Sequence, residues 1–188
     1  MPEIPDTVRA YREQNRNISD AEGEVMYYRS LNWIWENKKN ARLRLQFAMM
    51  GLSYLEPFIR HWKKEYGEIP PSIPAITEAT IWHAINGARG QLENVRDLVA
   101  FFPEVSDHLP GVEEGFVMLD MAGKVRKHLA EHPGTLQDRI KKEIGVEDGR
   151  LLSRVIHYME LAGQVKRREE GKTHALYFSQ ATVPEASL

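Results

Sequence analysis

Apolar residues recur at helical spacing through most of the chain, and short polar stretches separate the helical regions. The pattern predicts a short helix near Thr7–Asn15 and a longer helical region from Asp20, as N-cap, to about Gly67, broken or kinked at Gly51 and Pro57. Three prolines in Glu68–Pro74 predict a loop. The fold class predicted for this N-terminal part is therefore all-helical.

A third helical region, from about Ala75 to Phe102, contains a regular apolar seam. Its members are separated alternately by four and three residues: Ile81, Ile85, Ala88, Leu92, Val95, Val99 and Phe102. This is the a/d spacing of a coiled coil. The seam is compatible with two uses, the pairing of two subunits or packing inside a helical bundle of the same chain.

The C-terminal third has a different order of elements. Helical spacing from Glu113 ends by His132, because Pro133 disfavours the α conformation at the residue before it. Thr135 is the expected N-cap of a second, short helix, and Gly145 is its expected end. An acidic turn, Val146–Gly149, leads to a third helix over 150–162. Two short β-prone runs, Gln164–Arg168 and His174–Phe178, then predict a hairpin.

The third helix has two distinct faces. Its core face is predicted to contain Leu152, Val155, Ile156 and Met159. The opposite face, with the same spacing, contains the hydrogen-bonding residues Arg150, Ser153, Arg154 and His157. Two of these four residues, Arg150 and Arg154, are fixed cations.

This stretch resembles the winged-helix regulators of the ArsR and MarR type. The residues that carry the resemblance are Thr135, Gly145, Ser153-Arg154, Met159, Ala162-Gly163, Val165–Arg168, Gly171-Lys172 and Tyr177. It covers the C-terminal third of the chain and implies a mainly α fold, in which a helical domain (1–112) precedes a winged helix-turn-helix domain (113–180) and a tail (181–188). The 1–112 segment resembles no family that we recognise.

The resemblance also implies how DNA would be bound. The third helix would enter the major groove, where Arg150, Ser153, Arg154 and His157 would reach base edges and nearby phosphates. Thr135 and Gln137 would approach the DNA backbone. The wing residues Lys166, Arg168, Lys172 and His174 would lie over an adjacent phosphate or the minor groove.

The distribution of charge agrees with such a partner. The chain has a formal net charge of -2, but residues 1–120 carry -5 and residues 121–180 carry +4. A polyanion is therefore expected to bind the C-terminal part. The absence of cysteine and of an apolar N-terminal segment predicts a cytoplasmic protein. A homodimer is expected, because one small module buries little surface and paired half-sites supply the rest.

Catalysis is not predicted. His128–His132 spells H-x-x-E-H, a zinc motif, but His132 precedes Pro133, where the helix must end. We expect no metal and no cofactor. Two functions remain open. The first is a DNA-binding transcriptional regulator. The second is a winged helix that serves as a protein-interaction module in a larger assembly, which the acidic turn and the low net charge favour.

Overall fold

The computed structural model describes residues 3–171 and 173–179. Within them the chain is mainly α-helical, as predicted, with a small antiparallel sheet near the C-terminus. The helices are α1 (Asp6–Gln14), α2 (Asp20–Glu36), α3 (Ala41–Ser53), α4 (Leu55–Tyr66), α5 (Pro74–Asn86), α6 (Arg89–Phe101), α7 (Leu109–Glu131), α8 (Gln137–Glu143) and α9 (Gly149–Leu161), with a 3-10 helix at Pro103–His108. The strands are β1 (Thr135–Leu136), β2 (Val165–Glu170) and β3 (Thr173–Phe178).

The first four helices begin and end at positions that differ from the predicted ones. Ser19, and not Asp20, is the N-cap of α2, because its hydroxyl and the Glu22 carboxylate form a reciprocal capping box. The helical region breaks at 37–40, where Asn40 caps α3, and again at Tyr54. Gly51 lies inside α3, at a close approach to Ser30 of α2.

The apolar seam of residues 81–102 is divided between two helices. The chain turns at Gly87, whose φ of 74° lies in the left-handed region that glycine adopts without strain. The seam residues on either side are buried inside the chain, apart from the half-buried Ala88. The seam therefore packs in an intramolecular bundle and does not form a rod that could pair two subunits.

Helix α7 joins the two parts of the chain. It begins at Leu109, so the boundary expected between 112 and 113 lies inside a continuous helix. Its first half packs against α5, and Gly115 is the closest point: a Cβ added there would lie 2.4 Å from Cγ2 of Thr80. The same helix also packs against α9 and β3. One buried cluster extends from Val8 in α1 to Leu176 in β3.

The sheet has a strand that the sequence did not predict. Thr135 and Leu136 form β1, which pairs antiparallel with β3, and β3 also pairs with β2, in the order β1-β3-β2. Thr135 is therefore not an N-cap: Leu136 precedes α8, and no side chain caps that helix. The β2 and β3 strands are longer than predicted, because pairing continues to Glu170 and Thr173.

Polar contacts fix the C-terminal end of α5 to the C-terminal elements. Arg126 of α7 donates through Nη1 to the carbonyl oxygen of Ile85 at 2.8 Å. Gln164, just before β2, donates to the same oxygen and to Oδ1 of Asn86, each at 3.2 Å. Carbonyls in the last turn of a helix have no intrahelical partner, so these side chains satisfy groups that would otherwise be orphaned. Burial lowers the pKa of Arg126.

No helix in the described ranges has the length and apolar character needed to cross a membrane.

We expect Gly115→Ala to destabilise the protein by about 1–3 kcal/mol, the usual cost of overpacking a tight core. The added methyl group would meet the buried Thr80 side chain. Gly123→Ala in the same helix is the matched control, because a Cβ there meets nothing within 4 Å. That control should be neutral or stabilising by about 0.5–1 kcal/mol. Urea unfolding of both variants measures the difference, and equal effects would contradict the packing described.

His83 gives the core a dependence on pH. The ring is 6% exposed and contacts the sulfur of Met49, and burial lowers its pKa from 6.5 to about 4. The unfolded chain therefore takes up the proton more readily than the folded protein. Stability contributed by this residue is complete above pH 6.5 and decreases as the pH falls from 6.5 towards 4.

We therefore expect His83→Leu to weaken the response to acid. Between pH 7 and pH 5, the wild-type protein should lose about 2 kcal/mol more unfolding free energy than the variant. Urea titrations at the two pH values give this difference, in which the titration of surface carboxylates cancels. If the two proteins lose the same unfolding free energy between pH 7 and pH 5, the pKa of His83 does not differ between the folded and unfolded states.

Candidate nucleic-acid interface

The turn between α8 and α9 fixes where α9 begins. Gly145 takes a φ of 63° just after α8, and the chain then reaches Asp148, the N-cap of α9. The Asp148 carboxylate accepts from the backbone N–H groups of Leu151 and Arg150, each at 2.9 Å. The hydrogen bond from Leu151 contributes most to lowering the pKa of Asp148, and the one from Arg150 lowers it further. One of the two acidic residues of this turn therefore has a structural use.

The two faces of α9 are as the spacing predicts. The predicted core residues Leu152, Val155, Ile156 and Met159 are buried, and Leu151 is buried with them. The side chains predicted to bind DNA on this helix, Arg150, Ser153, Arg154 and His157, are all exposed and lie on one face. The helix thus brings together four of the ten side chains predicted for the site.

Intramolecular contacts already engage part of this face. Arg154 Nη1 donates to Glu114 Oε1 of α7 at 2.7 Å, and both side chains are about half exposed. Ser153 donates back to the carbonyl oxygen of Gly149 at 2.9 Å. The His157 ring lies beside Tyr158, which also packs edge-on against Trp82 of α5. Arg154 therefore lies at the edge of the face that is nearest to α7.

The hairpin residues predicted for the site divide between the two faces of the sheet. Lys166 and Arg168 are exposed on the face turned away from the buried Val165, and Arg168 lies over the Tyr177 ring, 4.7 Å from its centroid. His174 is half-buried opposite Glu169, on the other face. Lys172 lies outside the described residues. The intervening Arg167 turns towards α9 and pairs with Glu160 at 3.0 Å.

The two residues predicted near the start of α8 are less accessible than expected. The Thr135 hydroxyl donates to the carbonyl oxygen of His132 at 2.9 Å and lies 3.0 Å from Nε2 of His128. Gln137 is half-buried, and its side-chain oxygen has no hydrogen-bond partner in the described part of the chain. The Thr135 hydroxyl thus binds the backbone just after α7 and is not free to donate to a DNA phosphate.

Three cations of α8 that were not predicted for the site lie beside it. They are Arg139, Lys141 and Lys142, all exposed. Lys141 lies close enough to the start of α9 for its charge to contribute to the lowered pKa of Asp148. The sequence could have predicted their exposure, because a helix that buries Ile140 turns the residues adjacent to it in sequence towards solvent.

The H-x-x-E-H residues have structural partners. The rings of His128 and His132 are 4.9 Å apart between centroids, and His128 Nε2 lies 3.1 Å from a carboxylate oxygen of Glu143. Over residues 3–171 and 173–179, no group of three or more His, Cys, Asp or Glu side chains is arranged to hold a metal ion.

Comparison of the chain with models of known protein families, with curated proteins and with solved structures gives no match in any of the three.

Because Asp148 provides both the cap and the start of α9, we expect Asp148→Ala to lower the midpoint of urea unfolding. Asp148→Asn should lose less, because an amide oxygen still accepts the two backbone hydrogen bonds. Glu147→Ala, at the exposed neighbouring carboxylate, is the control and should leave the midpoint nearly unchanged. If the Ala variants at 147 and 148 behave alike, the cap does not hold α9.

Proposed function

We propose that residues 113–180 form a winged helix-turn-helix module and that the chain is a DNA-binding protein acting as a transcriptional regulator. The order α7-β1-α8-α9-β2-β3, with strands in the order β1-β3-β2, supports this reading. In the proposed module, α8 and α9 are the helix-turn-helix and the β2–β3 hairpin is the wing. The single observation that carries the function is the exposed polar face of α9.

In this proposal α9 lies in the major groove of duplex DNA. Arg150 is exposed at the first turn of the helix, where the side chains of a recognition helix reach base edges. Its guanidinium is suited to the O6 and N7 atoms of guanine. Ser153 and His157 continue the same face. Arg154 contributes once it exchanges Glu114 for a base or a phosphate, and this exchange reduces the net gain from that arginine.

Backbone contacts position the module and add most of the salt dependence. Lys166 and Arg168 supply them from the hairpin, and the exposed lysines of α8, Lys141 and Lys142, supply them from the other side. Gln137 contributes from the first residue of α8, whereas the Thr135 hydroxyl has protein partners already. His174 and Lys172 remain part of the proposed wing.

A homodimer completes this proposal. Paired half-sites are the usual means by which a small helix-turn-helix module reaches specific affinity. The seam of residues 81–102 is buried within one chain, so the pairing surface lies elsewhere. The N-terminal helices provide the remaining surface, either for the second copy or for a partner protein.

A protein-interaction module is the second candidate, and a specific observation favours it. Large aromatic side chains are exposed on α2 and α4, with Trp35 57% and Tyr66 62% exposed. Trp and Tyr are enriched among the residues that contribute most to binding at protein–protein interfaces. The pairing of Arg154 with Glu114 and of Arg167 with Glu160 also withdraws positive charge from the C-terminal surface.

Fluorescence anisotropy on labelled duplex DNA over a series of salt concentrations tests the DNA proposal. We expect the wild-type affinity to fall steeply with salt, because binding phosphates releases counterions. Arg150→Ala/Arg154→Ala should weaken binding by about 1–3 kcal/mol for the base contact of Arg150, and should lower the slope of log K against log salt by about 1 where Arg154 binds a phosphate.

Arg9→Ala/Arg16→Ala provides the matched control, since it removes the same charge from two exposed positions, one in α1 and one just after it. This control should keep the wild-type slope. Equal losses in the two double variants would mean that only net charge matters, and a folded wild-type protein that does not bind at low salt would favour the protein-interaction candidate.

A further inference from the structure

A cavity of about 240 Å³ opens beside the exposed face of α9. It lies where α5, the 3-10 helix and the first half of α7 meet α9, and Arg154 is the α9 residue that lines it. Apolar side chains of α5 and α7 form much of the wall: Ile76, Ile81, Val112 and Met118. At about 30 Å³ for each water in the liquid, the space corresponds to about eight waters. A small organic molecule with an apolar body fits such a volume.

The charged groups around the cavity favour a cation. Asp107 and Glu114 contribute two carboxylates, against the one guanidinium of Arg154. His108 also lines the cavity, and burial lowers its pKa, so the ring carries little charge at neutral pH. The lining is therefore net negative, in a part of the chain whose neighbouring DNA-binding surface is positive.

A buried hydroxyl in the wall has no partner. Thr80 lines the cavity from α5, is 4% exposed, and its Oγ1 makes no hydrogen bond within the described residues. A water-sized molecule in the cavity does not reach this oxygen, so the hydroxyl is enclosed by the protein and adds no polar atom to the open space. The carboxylates of Asp107 and Glu114 are therefore the groups that select the ligand.

We propose that this cavity binds a small organic amine, whose ammonium group pairs with Glu114 in place of Arg154 and whose apolar body lies on Ile76, Ile81 and Met118. The ammonium group supplies the cation that the net negative lining favours. Because Glu114 can hold one cation closely, the amine releases Arg154 to the exposed face of α9. The amine then promotes binding of DNA, a consequence that rests on the proposed function.

The site is tested without DNA, by titrating the ¹⁵N-labelled full chain with benzylamine and following its amide resonances. The amides of Thr80, Gly111 and Arg154 should shift and saturate. Benzyl alcohol and phenylacetate keep the ring but replace the cation by a neutral or an anionic group, and they should bind more weakly, the alcohol by up to about fivefold. Comparable shifts with all three compounds, or none with benzylamine, would overturn the proposal.

Two substitutions should change the amine affinity in opposite directions. Glu114→Gln removes the partner and should weaken benzylamine by up to about fivefold, whereas Arg154→Ala removes the competing cation and should strengthen it. Glu113→Gln is the matched control, because Glu113 is exposed on α7 and not part of the lining. If Glu113→Gln and Glu114→Gln have the same effect, the amine binds the general negative charge and not this site.

The two titrations test the amine site and the DNA-binding proposal independently, so either proposal can be wrong while the other stands. Arg150 does not line the cavity, so Arg150→Ala should keep the wild-type benzylamine affinity even where DNA binding is lost. Saturation of the cavity amides in a protein that does not bind DNA would leave the amine site standing and remove only its regulatory consequence.

Discussion

The close packing of α7 on α5 is the contact on which the arrangement of the molecule depends. Gly115 lets the two helices approach until there is no room for a Cβ beside Thr80. From that contact α7 continues beneath α9 and the sheet, and Arg126 and Gln164 hold the end of α5 against the same elements. The C-terminal elements are therefore fixed to the helical bundle and are not tethered by a linker. A partner that binds the exposed face of α9 therefore also comes close to the helical bundle.

Much of the C-terminal part could be predicted because its signals are local. The faces of α9 follow from residue spacing, and the hairpin follows from two β-prone runs about a glycine. Contacts between residues far apart in the sequence could not be predicted, because no local pattern encodes them. Strand β1 exists only because Thr135 and Leu136 meet β3, and the Arg154 side chain meets Glu114 only after α7 packs on α9. The seam of residues 81–102 continues across Gly87, whose backbone conformation the apolar spacing does not encode.

Acidic and basic side chains are interspersed on the C-terminal surface, and several of them are used in intramolecular contacts. Asp148 is used as a cap, Glu160 holds Arg167, and Glu114 holds Arg154. Of the cations proposed to bind DNA, Arg150 lies on α9, Lys141 and Lys142 on α8, and Lys166 and Arg168 on the sheet. The exposed aromatics of α2 and α4 belong to a separate surface, so a DNA contact and a protein contact are not mutually exclusive.

Mapping the duplex on the protein by amide chemical shifts tests the central proposal most directly. We expect a short duplex to shift the resonances of α9 from Arg150 to His157, of Lys141 and Lys142 in α8, and of Lys166 and Arg168 in β2, while those of α2 and α4 stay unchanged. Shifts confined to the N-terminal helices, or none at a concentration where the folded protein would be saturated, would contradict it and leave the protein-interaction module as the function to pursue.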